Sequence, residues 1–288
     1  MERRSFLKSL GAIGCATLVG SNLHASTAAE AIELMGVLVD ITRCEGCRAC
    51  EEMCAEANGL PEIDYDDAVL ERTRTTSTTQ HSVITKFDTD KGEVYVKRQC
   101  MNCVQPACAS ACLTKAMEKT KEGPVVWDEK KCMGCRYCMV SCPFDMPKFE
   151  YDKAVPKIVK CDMCRDRLGV GELPACVENC PNEALVYGTR RQLLEEARRR
   201  IYQNPDDYVS HIYGEHEIGG TGVMYISSVP FDNIGFRTDL GNEAVPELSR
   251  NFLYSVPVIE TLVPVFLLAV HKATTKKGDD LEGEVWHE

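Results

Sequence analysis

Positive charge is scarce in this sequence of 288 residues: 33 lysine and arginine residues stand against 44 aspartate and glutamate residues, which gives a formal charge of −11. A nucleic-acid-binding surface is basic, so this balance argues against a nucleic-acid partner. No G-x-G-x-x-G segment follows a predicted strand, so no dinucleotide site is expected. No C-x-x-C-H segment occurs, which excludes covalently attached haem. No carboxylate pair or cluster of nucleophiles stands out, so the sequence predicts no catalytic residues.

Cysteine, by contrast, is abundant. The chain has 17 cysteines, and all except Cys15 fall between positions 44 and 180. They form four clumps, which read Cys44-x2-Cys47-x2-Cys50-x3-Cys54, Cys100-x2-Cys103-x4-Cys108-x3-Cys112, Cys132-x2-Cys135-x2-Cys138-x3-Cys142 and Cys161-x2-Cys164-x11-Cys176-x3-Cys180. The third clump is followed by Pro143 and matches the bacterial ferredoxin run C-x2-C-x2-C-x3-C-P. Such spacing lets three thiolates from one loop bind one iron–sulfur cluster, while the fourth cysteine binds the other cluster of a pair.

Two other uses of clustered cysteine fit this spacing less well. Disulfides suit a secreted protein, but bridges between cysteines only two or three residues apart would be strained. Zinc accepts C-x2-C pairs, yet the runs of three cysteines in C-x2-C-x2-C are not a zinc pattern. Sixteen cysteines in four sets of four therefore predict four [4Fe–4S] clusters. Spacing alone leaves open whether the third clump pairs with the second or with the fourth.

The segments around the clumps are typical of a known family: Gly36–Asp40, Lys97–Cys103 and Cys132–Met139. The chain resembles, over nearly its whole length, the four-cluster iron–sulfur subunits of membrane-bound periplasmic respiratory enzymes. Within that family, His211–Glu215, Gly219–Thr221 and Val229–Asn233 are similar to the ferredoxin-like subunits of quinone-reducing periplasmic nickel–iron hydrogenases. The beta subunits of membrane-bound formate dehydrogenases share the Gly-Gly-Thr-x-Val-Met-Tyr segment that begins here at Gly219.

This resemblance implies an electron-transfer subunit that links a catalytic partner to a quinone-reactive integral membrane subunit. The partner would be the catalytic and small subunits of a hydrogenase. The alternative is the catalytic subunit of a molybdenum or tungsten enzyme such as formate dehydrogenase. Either way, the chain itself would carry electrons without performing the substrate chemistry.

The resemblance also implies which cysteines share a cluster, with the second and third clumps paired inside and the first and fourth paired outside. The four implied ligand sets are Cys44, Cys47, Cys50 and Cys180; Cys54, Cys161, Cys164 and Cys176; Cys100, Cys103, Cys108 and Cys142; and Cys112, Cys132, Cys135 and Cys138. One departure from the family is Leu113, which follows Cys112 where related chains often have proline. Only the local turn is expected to differ there.

The expected fold is α+β, with tandem ferredoxin-like folds over residues 35–190. An insertion over residues 58–99 ends in a predicted β-hairpin, with strands at Val83–Phe87 and Val94–Val96 and the turn between them at residues 88–92. The insertion therefore separates the first clump from the second.

Beyond the last clump, the sequence predicts a short strand at Ala184–Tyr187 and an amphipathic helix at Arg190–Tyr202. The run Arg198–Arg200 in this helix is interpreted as a solvated face. The helix opens a C-terminal extension that occupies residues 191–250.

The first 25 residues predict a twin-arginine export signal. The segment Arg3-Arg4-Ser5-Phe6-Leu7-Lys8 precedes a mildly apolar run, and a small residue, Ala25, stands near the expected cleavage point. This route moves folded proteins, which suits a chain that receives its clusters in the cytoplasm. Cys15 lies in the apolar run and is not counted as a ligand. Cleavage just before Cys15, as in a lipoprotein, is the weaker alternative.

Residues 252–270 predict a membrane anchor. Fourteen of these nineteen residues are apolar and none is lysine or arginine. A helix of this length spans about 28 Å at a rise of 1.5 Å per residue, close to the roughly 30 Å hydrocarbon core. The basic residues that follow predict a cytoplasmic tail over residues 271–288, with the body on the periplasmic side. Glu260 is interpreted as a carboxyl paired with a partner's helix, or as a proton carrier near a quinone site.

Overall fold

The structure is a computed structural model that describes residues 33–279; the side chains of residue 273 and residues 275–279 are left aside. The predicted export signal and the last part of the predicted tail lie outside the described residues. From Leu34 onward the described chain belongs to a single unit.

The described residues form a mixed α/β fold of short elements and one long helix. The strands are β1 Met35–Asp40, β2 Ser82–Thr89, β3 Gly92–Gln99, β4 Met117–Lys119, β5 Val125–Trp127, β6 Lys148–Phe149, β7 Ile158–Val159, β8 Leu185–Thr189 and β9 Val223–Ile226. The helices are α1 Ala49–Ala57, α2 Ala107–Ser110, α3 Tyr137–Val140, α4 Arg165–Gly169, α5 Ala175–Glu178, α6 Arg190–Gln203 and α7 Val245–Asp279.

A three-stranded sheet with the order β8-β1-β9 forms the centre of the fold. β1 pairs antiparallel with β8 and parallel with β9, so that Val37 faces both Tyr187 and Val223. Because successive side chains of a strand point to opposite faces, Val37 and Val39 pack toward the cysteine-rich half, while Leu38 packs against α6. The sheet thus separates the predicted site from helix α6.

Helix α6 begins at a capping box and is tied to the sheet by a buried ion pair. The side chain of Thr189 accepts a hydrogen bond from Gln192 N, and the Gln192 side chain bonds back to the backbone of the cap. Arg200 Nη1 lies 2.8 Å from Oδ2 of Asp40, which is fully buried on β1. The interpretation of Arg198–Arg200 as a solvated face is therefore wrong for Arg200, because the acidic partner on β1 compensates the charge of its buried guanidinium.

Three two-stranded antiparallel sheets accompany the central one: β2 with β3, β4 with β5, and β6 with β7. In the first, pairing runs without interruption from Ser82 opposite Gln99 to Thr89 opposite Gly92. The strands extend further than the sequence pattern indicates, so the turn is confined to Asp90 and Lys91. Val94 and Val96 pack from one face of this hairpin, and Ile84 packs from the other, in the core around the first clump.

Helix α7 is 35 residues long and continues through Pro257 and Pro264. Its segment Val245–Lys272 is, among the described residues, the one helix long and apolar enough to cross a membrane, and none of its most apolar window is buried inside the protein. Phe266 and Leu268 each expose about two thirds of their surface. Glu260 lies on this exposed surface as well. A helix of this kind needs an apolar surrounding that the rest of the described chain does not supply.

Candidate metal centres

The sixteen cysteines beyond Cys15 are all free thiols in the structure, and in each clump the third cysteine has the same place in the fold. It is the second residue of a helix: α1, α2, α3 or α5. The fourth cysteine follows four positions later in every clump. Each clump therefore presents its first cysteines from a loop and its last ones from a helix or from the residues just beyond it.

The loops that lead into these helices share an unusual backbone. In the first clump Gly46 and Arg48 have φ values of 74° and 63°, and in the third Gly134 and Arg136 have values of 71° and 60°. The matching residue of the other two C-x2-C loops also has a left-handed conformation, at Asn102 and Met163. A left-handed residue between the first two cysteines curls the chain, so that successive thiols turn toward a common centre.

Two glycines at equivalent places in these loops give a matched prediction. Replacing Gly134 with alanine should destabilise the third loop by about 1 to 2 kcal/mol, because a left-handed backbone disfavours any Cβ, while no contact nearer than 4.0 Å opposes the methyl group. At Gly46 the added Cβ would lie 2.4 Å from Tyr95 Cδ1, so Gly46→Ala should cost about 1 to 3 kcal/mol more.

The measurement is iron content and thermal unfolding of the two variants purified side by side. Gly46→Ala should retain less iron and unfold at a lower temperature than Gly134→Ala. Equal losses in both variants would contradict the account of the contact with Tyr95.

Two cavities are each lined by four cysteines. The first contains Cys44, Cys47, Cys50 and Cys180. The second contains Cys54, Cys161, Cys164 and Cys176. Neighbours in sequence are thus divided: Cys50 and Cys54 lie one turn apart on α1, yet they line different cavities. Helix α1 stands between the two cavities and serves both.

The other eight cysteines form two further groups, as the electrostatic environment of their thiols shows. The pKa of the Cys103 thiol is raised mainly by burial, and the nearby thiols of Cys100, Cys142 and Cys108 raise it further. Burial likewise raises the pKa of Cys138 to about 11, with added contributions from Cys112, Cys132 and Cys135. The structure thus places Cys103 near Cys100, Cys108 and Cys142, and Cys138 near Cys112, Cys132 and Cys135, so that here too one clump contributes to both groups.

Most of these thiols are held in a low-polarity environment. Burial raises the pKa of Cys44 to about 11 and that of Cys108 to about 12. A thiol binds metal as the thiolate, so positive charge from iron is needed to hold these groups deprotonated. Backbone N–H groups assist: Met163 N lies 3.4 Å from Cys161 Sγ, and Met117 N lies 3.3 Å from Cys112 Sγ. At Cys112 burial acts to raise the pKa, but this and other hydrogen bonds lower it by more.

The residues present fit a cluster better than a single ion. Among residues 33–279, no three histidine, cysteine, aspartate or glutamate side chains converge closely enough to hold one metal ion. The thiolates of a zinc site each lie about 2.3 Å from the ion and so crowd together. Thiolates that bind the outside of an iron–sulfur cube stand further apart, because the cube lies between them. Four cysteines around one cavity match the second arrangement.

A buried charge network holds α1 in place. Glu51 on α1 is almost fully buried, and its two oxygens lie 2.5 Å and 2.9 Å from Nη1 and Nη2 of Arg74. Arg48 Nη2 lies 3.3 Å from Glu51 Oε2, and the N–H of Ile84 on β2 donates to Glu51 Oε1. Paired and hydrogen-bonded in this way, the carboxylate fixes the helix that carries Cys50 and Cys54 against the hairpin.

Lys97 also belongs to this site, although the cysteine pattern did not identify it. Only 2% of its surface is exposed, and it lines both of the four-cysteine cavities. Burial lowers the pKa of Lys97, but the nearby thiolates of Cys176 and Cys50 raise it by more, so the lysine is held in its charged form. The sequence did indicate this position, because Lys97 and Gln99 are polar residues two positions apart on β3, directly before the second clump. That alternation points two polar side chains to one face.

Comparison with known proteins agrees with this geometry. The family described as "4Fe-4S dicluster domain" matches residues 92–190, which include the last three clumps. The "Hydrogenase-2 operon protein HybA" of Escherichia coli O157:H7 is 32% identical over 98% of this chain and 100% of its own length. The chain belongs to the HybA family. The resemblance to iron–sulfur subunits that the sequence suggested is therefore confirmed.

Other proteins similar to this HybA family member extend the comparison. A protein of Nitratidesulfovibrio vulgaris (Hildenborough) is 43% identical over 96% of this chain and 78% of that protein. The "Formate dehydrogenase, nitrate-inducible, iron-sulfur subunit" of Escherichia coli K12 is 32% identical over 66% of each chain. The similarity to HybA covers 98% of this chain, whereas the similarity to the formate dehydrogenase subunit covers 66% of it.

Proposed function

We propose that this protein is the electron-transfer subunit of a membrane-bound respiratory oxidoreductase and carries four [4Fe–4S] clusters in tandem ferredoxin-like folds over residues 35–190. The observation that carries the proposal is the grouping of sixteen thiols into four sets of four. The proposed ligand sets are Cys44, Cys47, Cys50 and Cys180; Cys54, Cys161, Cys164 and Cys176; Cys100, Cys103, Cys108 and Cys142; and Cys112, Cys132, Cys135 and Cys138. Such clusters, when bound, supply reversible one-electron chemistry.

The chain's own residues hold and shield these centres. Val37, Val39 and Ile84 pack in the core that surrounds the first two sets and keep water from them. Met117, Val125 and Ile158 do the same beside Cys108 and Cys138. Exclusion of water lowers the local dielectric, which fixes the charges near each set and makes their effect on electron affinity larger.

The exposure of the cysteines supports a chain of clusters that is accessible to partners at both ends. Among the sixteen cysteines that the structure describes, only Cys47 of the first set and Cys135 of the fourth set are exposed, and every cysteine of the two middle sets is buried or half-buried. We therefore propose that electrons enter and leave through the first and fourth sets.

The fourth set is the better candidate for the membrane end. Its loops and helix α3 carry a patch of exposed apolar side chains: Leu113, Met133, Tyr137 and Val140. Leu113 and Val140 each expose about 85% of their surface. The membrane-length helix α7 lies against α2, which carries Cys108 and precedes Cys112. An apolar patch beside the anchor suits contact with an integral membrane subunit that reacts with quinone. The first set would then face the catalytic partner.

The anchor and the export signal together support a periplasmic location. In this proposal residues 252–270 cross the membrane, residues 271–288 form the cytoplasmic tail, and Glu260 is covered by a helix of the membrane partner. Residues 191–250 link the cluster-bearing part to the anchor. The body is then carried across the membrane by the twin-arginine route.

Changing Arg3 and Arg4 together to lysine should leave a folded, cluster-loaded protein in the cytoplasm, because the export receptor recognises the arginine pair itself. The measurement is the distribution of the protein between periplasmic and cytoplasmic fractions, with iron content as the control for folding. Normal export of the double variant would contradict the twin-arginine assignment.

A hydrogenase is the proposed catalytic partner. The similarity to the hydrogenase-2 operon protein spans that whole protein, while the similarity to the formate dehydrogenase subunit covers 66% of it. Formate dehydrogenase is the second candidate, because its iron–sulfur subunit is equally similar where the two align. Metal analysis of the native complex, purified through this chain, should find nickel. Molybdenum or tungsten without nickel would favour the second candidate and exclude the first.

A further inference from the structure

We propose that Lys97 is a positioning residue whose positive charge raises the reduction potentials of the two clusters held by the first and second cysteine sets. The inference deepens the proposed function and rests on it. It starts from the place of Lys97 in the fold, on strand β3, where its side chain lines the first cavity on one side and the second on the other.

The lysine is buried without a carboxylate partner. Among residues 33–279, no aspartate or glutamate forms an ion pair with it. Its Nζ donates to Oε1 of Gln99, and its backbone oxygen accepts a hydrogen bond of 3.0 Å from Tyr225 Oη. A buried ammonium group without nearby negative charge is strongly destabilising. The negative groups that act on Lys97 are the thiolates of both sets, led by Cys176 and Cys50.

That arrangement gives Lys97 a role beyond packing. Each cluster gains one negative charge when it accepts an electron, so a fixed positive charge nearby stabilises the reduced form more than the oxidised form. Net charge is one of the factors that set the potential of an iron–sulfur cluster. The effect is large where water is excluded, because the local dielectric is low. One lysine between two cavities therefore raises two potentials together.

A second lysine, Lys119, is half-buried and offers a control. Lys119 Nζ donates to the backbone oxygen of Asn102 at 2.9 Å, and the thiols that act on it are those of Cys103, Cys100 and Cys108. Its charge thus faces the third set and not the first two. Removing it should change the potential of a different cluster from those that respond to Lys97.

The test is a potentiometric titration of the purified, cluster-loaded complex, followed by electron paramagnetic resonance. Lys97→Met, which keeps the length of the side chain and removes the charge, should lower the midpoint potentials of two of the four clusters and leave the other two unchanged. Lys97→Arg, which keeps the charge, should remain closer to the wild type. Lys119→Met should lower one potential that Lys97→Met leaves unchanged. A Lys97→Met protein with full iron content and four unchanged potentials would overturn the proposal.

If Lys97→Met does not retain its clusters, Gln99→Glu provides the same test with Lys97 in place. The new carboxylate has the shape of the glutamine side chain and neutralises Nζ, so the same two potentials should fall. Unchanged potentials in a fully loaded Gln99→Glu protein would overturn the proposal. A wild-type chain that binds clearly fewer than about sixteen irons would instead contradict the proposed four clusters. Iron content thus tests the four clusters, and the midpoint potentials separately test the effect of Lys97.

Discussion

Ending the chain at Arg250 should reduce quinone-linked activity by at least about 100-fold while all clusters remain in place. The truncation removes most of α7 and no cysteine, because the last of them is Cys180. Electron transfer to a membrane subunit requires close and lasting contact, and a tethered subunit has a far higher effective concentration at its partner than a free one. The catalytic partner should still reduce a soluble dye, since that reaction needs no membrane contact.

The matched control is a chain ended at Lys272, which keeps the whole apolar span and loses only the tail. This variant should remain bound to the membrane and keep quinone-linked activity. Both variants should show the iron content of the wild type. A chain ended at Arg250 that reduces quinone at the normal rate would show that the helix is dispensable for coupling and would remove the main structural support for the membrane end.

Paired cysteine substitutions should show an equally large effect, which depends on which cysteines share a set. Cys44→Ala combined with Cys180→Ala changes one proposed set, so about twelve of sixteen irons should remain. Cys161→Ala combined with Cys180→Ala changes two sets, so only about eight should remain. The order would be reversed if each clump held its own cluster, because Cys161 and Cys180 belong to one clump and Cys44 to another. Iron and acid-labile sulfide in the purified variants decide between the two arrangements.

Much of the site was predictable because an iron–sulfur cluster is bound by cysteine thiolates, and the spacing of these cysteines is visible in the sequence. The run from Cys132 to Pro143 specifies a ferredoxin-type loop by itself. The sequence also indicated helix α6 through its apolar stripe, and the apolar helix at the C-terminus through its length and composition. Each of these features is formed by residues close together in the chain. The spacing of the residues in the sequence therefore reflects the local structure directly.

The central sheet was not predictable in the same way. β1 and β9 lie side by side in the sheet although more than 180 residues separate them, and no local pattern specifies that pairing. Arg200 was misinterpreted for the same reason. Its partner, Asp40, precedes all four cysteine clumps in the sequence, whereas Arg200 follows them. A run of three arginines on a helix is commonly exposed, and only the tertiary contact identifies the one that is buried.

The role of Lys97 lay beyond sequence analysis on similar grounds. A lysine in an exposed hairpin and a lysine between two cavities have the same local sequence signal, apart from the alternation with Gln99. Its burial follows from the way α1, β3 and the fourth clump meet around it.

The central claim is that electrons pass through this chain between a hydrogenase and quinone. Rapid freezing of the purified native complex, first mixed with hydrogen and then with quinone, tests it most directly by electron paramagnetic resonance. The account predicts that signals of reduced clusters in this chain appear with hydrogen and disappear with quinone, both at least as fast as steady-state turnover. Reduction of quinone by hydrogen while these clusters stay oxidised, or change more slowly than turnover, would contradict it.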